Sequence, residues 1–181
     1  MASLTFRVAT PSDAPTIQPL VQSAYRGDTS RQGWTTEADL LTGTRIDAAG
    51  IAAKISAPNS AVLLAYAPEN NTLIACCEVL QRSSELAYFG MFAVDPTRQA
   101  GGVGRQVLAY AEEYAKSTLG VKKMEMSVIG VRKELIAWYV RRGYKDTGVR
   151  GDFPVEEVKG MGGAAVKDWT ELAFVILEKE L

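Results

Sequence analysis

Three glycines fall within four residues at Gly101, Gly102 and Gly104, between an apolar run and an amphipathic stretch, and they constrain the fold of this chain more than anything else in it. The run from Tyr88 to Val94 has the composition of a strand, Asp95 to Gly101 forms a loop, and the residues from near Gly102 to Leu119 carry helical periodicity. A glycine-rich loop at a helix start can turn several backbone N–H groups toward one point, where the helix dipole also favours negative charge. The expectation is an anion cradle sized for phosphate.

Two common phosphate motifs fit poorly. A Walker A loop needs Lys followed by Ser or Thr after its last glycine, and Gly104 is followed by Arg105 and Gln106. A dinucleotide fingerprint needs a small residue where Val107 stands. The run Gln99-Ala100-Gly101-Gly102-Val103-Gly104 instead resembles the Gln/Arg-x-x-Gly-x-Gly/Ala signature of the GNAT family of N-acetyltransferases. A second fragment, from Ala137 to Tyr144, is similar to that family's Phe/Leu-Tyr-x-x-x-Gly-Phe/Tyr element. The resemblance spans roughly Ala61 to Tyr144.

At 181 residues and 47% apolar content, residues 1–181 read as one domain. The formal charge of −1 and the scattered Lys and Arg point away from nucleic acid and from a polybasic membrane partner. No apolar run reaches membrane-span length and the N-terminus lacks a signal-peptide core, so a cytoplasmic or nuclear protein, monomeric or homodimeric, is expected. Cys76 and Cys77 are adjacent in an apolar run and read as reduced core residues on opposite strand faces. There is no histidine, which removes His-based catalysis and most zinc sites, and no metal is expected.

Along the chain, Leu4 to Ala9 reads as a strand, and Ile17, Leu20, Val21 and Ala24 as the apolar stripe of a helix disturbed by Pro15 and Pro19. Thr35-Thr36-Glu37 reads as the start of a short helix ending before Gly43, and Ile46 to Ala57 contains another. Ala61 to Ala67, Thr72 to Gln81 and the strand ending at Val94 form an antiparallel meander. After the glycine-loop helix, Lys123 to Ile129 is a strand expected parallel to the one ending at Val94. Val131 to Arg142 is a second crossover helix, Gly148 to Lys167 shows no clear element, and Leu172 to Leu177 is a last strand. The fold class is α/β (α+β): a mixed, mostly antiparallel sheet of six to seven strands flanked by helices, with the splayed parallel pair that the resemblance implies.

The resemblance further implies acetyl-CoA as co-substrate and acetyl transfer to an amine by direct attack in a ternary complex. Backbone amides from Gln99 to Arg105, with Arg98 and Arg105, would hold the pyrophosphate. Phe92, Ala93 and Val94 would lie against the pantetheine arm, and their N–H groups could stabilise the oxyanion. Tyr139 stands where the family has a Tyr that protonates the departing thiolate. Many members carry Asn seven residues earlier, where this chain has Arg132, and some carry a strand Glu where it has Tyr88.

The amine must lose a proton, so a carboxylate or a water chain is wanted. Glu78, within an otherwise apolar strand, is the first candidate; Glu37, beside Trp34, is the second and could equally bind a cationic acceptor. Trp34, Glu37 and Tyr88 are the expected acceptor-binding residues. The leading reading is acetylation of a primary amine on a small molecule, amino acid or peptide. The alternatives are a protein lysine or N-terminal acetyltransferase, and a non-catalytic acetyl-CoA-binding module.

Overall fold

The computed structural model describes residues 3–166 and 168–181, and only the backbone of Ala100; Met1, Ala2 and Lys167 lie outside the described residues. The strands are β1 (Thr5–Val8), β2 (Ser60–Tyr66), β3 (Leu73–Gln81), β4 (Leu86–Val94), β5 (Lys123–Ile129), β6 (Lys145–Gly151) and β7 (Phe174–Glu180). The helices are α1 (Ala14–Tyr25), α2 (Gly27–Ser30), α3 (Ala48–Ser56), α4 (Val103–Ser117), α5 (Lys133–Val140) and α6 (Val155–Gly160). The strands form one sheet in the order β1-β2-β3-β4-β5-β7-β6, in which only β4 and β5 are parallel.

The continuous apolar runs of β2 and β3 follow from burial on both faces. Val62, Leu64 and Cys76 pack in the layer under α1 and α3 with Ile17, Val21 and Ile51. Leu63, Cys77 and Val79 face the other way, against Val107, Leu108, Ala111 and Ala115 of α4. The adjacent cysteines therefore divide between the two faces, as strand alternation requires. Pro19 lies inside α1, which continues through it to Tyr25.

Two segments depart from the sequence reading. Thr35 to Gly43 forms no helix beyond a single turn at Glu37, and the short helix α2 precedes it. The Thr36 hydroxyl accepts the Ala38 N–H and contacts the Ser30 hydroxyl, so local side-chain bonds compete with helix propagation there. The Gly148 to Lys167 segment holds the end of β6 and all of α6. β6 is an edge strand, mostly exposed, with a register irregularity between Asp146 and Arg150 that contains Gly148 at φ 79°, so no apolar alternation marks it. The last strand begins at Phe174 because Trp169–Leu172 is a 3-10 turn that buries Leu172.

Two features of β4 open the sheet. Its parallel pairing with β5 runs only from Leu86 opposite Lys123 to Tyr88 opposite Glu125. Beyond that point β4 follows β3 and β5 follows β7, so a gap opens between them. Within the gap Met91 and Phe92 together oppose the single residue Cys77, a β-bulge with Met91 at φ 43°. The extra residue shifts the alternation: Phe89 and Phe92 both face the α4 side with ring centroids 5.0 Å apart, while Met91 and Ala93 face α1.

Candidate active site

At the end of β4 the side chain of Asp95 accepts the Thr97 N–H and starts a 3-10 turn through Gly101. Gly102, at φ 75°, then caps α4 with no side-chain bond. Gln106 N–H is bonded to Gly102 O at 3.2 Å, so the amides of Val103, Gly104 and Arg105, ahead of it in the first turn, have no intrahelical acceptor. They are donors at the positive end of a 15-residue helix.

A cleft opens beside these donors, enclosing about 690 Å³ with its open mouth included. Phe92, Val94, Gln99, Gly102, Gly104 and Arg105 line it, as do Trp34, Trp138 and Arg142. A Cβ on Gly104 would stand 3.4 Å from Phe92 and 3.6 Å from Trp138, so a longer side chain there would enter the cleft. Arg142 stacks on Trp138 at 3.5 Å and donates to its carbonyl at 2.7 Å, leaving Nε buried with no partner among the described residues. Burial and the neighbouring Arg141 and Arg105 lower its pKa below the usual arginine value.

Other loop residues point elsewhere. Arg98 pairs with Glu69 at 2.8 Å and, with Gly101 and Val103, lines a separate depression beside Leu4 and Ile74. Ala93 is buried under α1 and α3, and the side chain of Ala100 lies outside the described residues. Trp34, expected at the acceptor, lines the glycine-loop cleft and not the gap between β4 and β5. Its N–H donates to Gln99 Oε1 at 3.0 Å while Gln99 Nε2 donates to Val94 O at 3.3 Å. A Cβ on Gly33 would fall 2.3 Å from Gln99 Oε1, so this clamp requires glycine there.

A second cleft occupies the gap itself, between residues 88–92 of β4 and 126–129 of β5. Tyr25, Phe92, Arg132, Leu135 and Tyr139 line both clefts and mark where they meet. The Tyr25 hydroxyl donates to Phe92 O at 2.7 Å, and burial pushes its pKa up to about 12. Tyr139 is 4% exposed, and its hydroxyl makes no hydrogen bond among the described residues. Burial first, and then Tyr25, raises its pKa well above the ordinary phenol value, so it remains a proton donor at neutral pH.

Glu37 lines the second cleft with both oxygens engaged, Oε2 to Arg26 at 2.6 Å and Oε1 to Arg132 at 2.8 Å. Burial alone would raise its pKa, but Arg132, Arg45 and Arg26 outweigh that and hold it below the usual carboxylate value. Tyr88 lines the cleft under the guanidinium of Arg82, 4.1 Å from its ring centroid. Glu78 lines neither cleft: it is buried, bonded to Lys54 at 2.7 Å and Ser60 at 3.1 Å. Its Oε2 lies directly behind Gly90, 3.4 Å from where a Cβ would be, and Gly90 does line the gap.

A family model described as the Acetyltransferase (GNAT) family matches residues 21–144. This chain belongs to the GNAT family of acetyltransferases. The match takes in Trp34 and Glu37 as well as both motifs. Solved GNAT-fold structures cover nearly the whole chain at low identity. A GNAT family acetyltransferase from Elizabethkingia anophelis with acetyl-CoA bound is 18% identical, covering 100% of this chain and 100% of its own, with TM-score 0.68. An IAA acetyltransferase from Bacillus cereus is 17% identical over 99% and 100%, with TM-score 0.67. A chimera of the Vibrio cholerae spermidine N-acetyltransferase is 14% identical over 99% and 96%, with TM-score 0.69. No curated protein matches the sequence.

Sequence reasoning did not single out Tyr25, Arg26 or Arg142, and it expected at the acceptor a Trp34 that lines the glycine-loop cleft. Arg142 had a signal, since it follows Trp138 by one helical turn. Arg26 had none, because its partner Glu37 is reached only through the turns between them.

Proposed function

We propose that this GNAT protein transfers the acetyl group of acetyl-CoA to a small primary amine, by direct attack in a ternary complex. The observation that carries the proposal is the junction: a cleft lined by helix-start amides without intrahelical acceptors meets a second cleft at the buried side chain of Tyr139, whose hydroxyl has no hydrogen-bond partner among the described residues. The residues suit acetyl-CoA. Amides of Val103, Gly104 and Arg105, with the Arg105 and Arg142 guanidiniums, offer donors and positive charge to a pyrophosphate, and the aromatic walls suit an apolar arm. Acetyl-CoA supplies an activated acyl carbonyl with a thiolate leaving group.

The chain's own residues then divide the work. The unpaired outer edge of β4 beyond Tyr88 offers backbone donors to a developing oxyanion. Tyr139 Oη holds the proton that a departing thiolate needs. Glu78, paired with Lys54, takes the amine proton through a water that passes Gly90 beside the Tyr88 ring. Glu37 does neither task, because two arginines occupy both its oxygens. Direct attack is favoured over an acyl-enzyme because neither cleft is lined by a thiol. Both cysteines are fully buried, and burial raises their pKa, that of Cys76 to about 12.

Calorimetric titration with acetyl-CoA, followed by an amine screen reading thiol release, tests the proposal. Binding and amine-dependent release are expected. Absence of acetyl-CoA binding overturns it.

A further inference from the structure

The neighbours' named acceptors differ, and the gap between β4 and β5 has a charge pattern of its own. Arg26, Arg45 and Arg132 line it, and its only lining carboxylates among the described residues are Glu37 and Glu157. Glu157 is exposed at the rim, on α6. Inside, Glu37 answers two guanidiniums with one charge. Arg26 is only 5% exposed, and Nε of both Arg26 and Arg132 is buried with no partner among the described residues. Arg45 has no ion pair among the described residues, and its guanidinium lies 5.1 Å from the Tyr25 ring centroid, at the edge of the junction.

A surplus of buried positive charge and unanswered N–H donors is costly unless an anion completes it. Guanidiniums match carboxylates in geometry and number of donors. The opposite wall is apolar, with Met126, Val128, Ile129, Phe153 and Phe174. We infer that the acceptor is an amine bearing a carboxylate close to its nitrogen and an apolar body, as in an apolar α-amino acid. The arginine cluster takes the carboxylate, the apolar wall the side chain, and the amine points toward Tyr139 and Phe92. Positive charge in the same cleft repels a polyamine, so the spermidine named for one neighbour does not suit this site. This inference rests on the acetyl-transfer reading above.

The test uses leucine, methionine and phenylalanine, each beside its amide and its decarboxylated amine, with spermidine as the cationic comparison, at saturating acetyl-CoA. The acids are expected to exceed their amides and amines in kcat/KM by about 10²-fold or more, because unpaired buried donors penalise an acceptor lacking the anion. Arg26→Gln would leave Glu37 half paired and endanger folding, so the variant is Arg45→Gln. It should raise KM for the acids about tenfold and leave KM for the amides unchanged. Equal or better turnover of amides, amines or spermidine overturns the inference. If no free acceptor turns over, the CoA-loaded protein is titrated with N-acetylleucine and N-acetylleucinamide, and equal or absent binding of the acid also overturns it. Acetyl-CoA calorimetry run in parallel separates the failures: with no binding the acetyl-transfer reading falls too, whereas binding without carboxylate preference removes this inference alone.

Discussion

Tyr139 is a buried side chain that lines both clefts, and its hydroxyl, without a hydrogen-bond partner among the described residues, has a proton to give. Tyr139→Phe keeps the ring and its edge contacts with Trp138 and Tyr144 while removing that proton. Turnover is expected to fall about 10²-fold with acetyl-CoA affinity unchanged by calorimetry; normal turnover would make Tyr139 a packing residue. Glu37 supports folding instead. Because its pKa is depressed in the fold, its stabilisation is complete above the ordinary value of 4.5 and is lost as pH falls through the folded value below that. Glu37→Gln should cost about 3 kcal/mol at pH 7, the cost of stripping a buried charge of its partner, and the gap to wild type should narrow as pH falls below 4.5 in denaturant titrations. A constant gap would remove the ion-pair account.

At the scale of elements, the α4 start and the turn at Gly33 act together through Gln99. Gly104→Glu would drive a carboxylate into the cleft between Phe92 and Trp138, beside the unpaired amides. Acetyl-CoA affinity should fall at least about tenfold by calorimetry; unchanged affinity would remove the anion-cradle role. Gly33→Ala should break the Gln99 clamp and raise KM for acetyl-CoA while sparing the melting temperature more than a core substitution does. The glycine loop and the helix start after it were legible in the sequence because glycine spacing and helix periodicity are local signals. Which loop side chains face the cleft was not: Arg98 turns to Glu69, and nothing local marks a partner 29 residues away. The β-bulge at Met91 was not read either: its only local sign is Gly90 just before it, and it changes the facing of Phe92 by adding one residue to an apolar run. The end of β6 was missed because an exposed edge strand has no apolar alternation to read.

For the whole molecule, the sheet order places one parallel pair at the centre and separates it after three residue pairs, and the cleft in the resulting gap meets the glycine-loop cleft. In the proposed reaction that topology would bring the thioester and the amine together without a covalent stop on the protein, and the buried cysteines offer none. The most direct measurement is the initial velocity of thiol release over a matrix of acetyl-CoA and acceptor concentrations. Double-reciprocal lines that intersect are predicted, since both substrates must be bound before transfer. Parallel lines, the signature of an acetylated enzyme intermediate, would contradict the account.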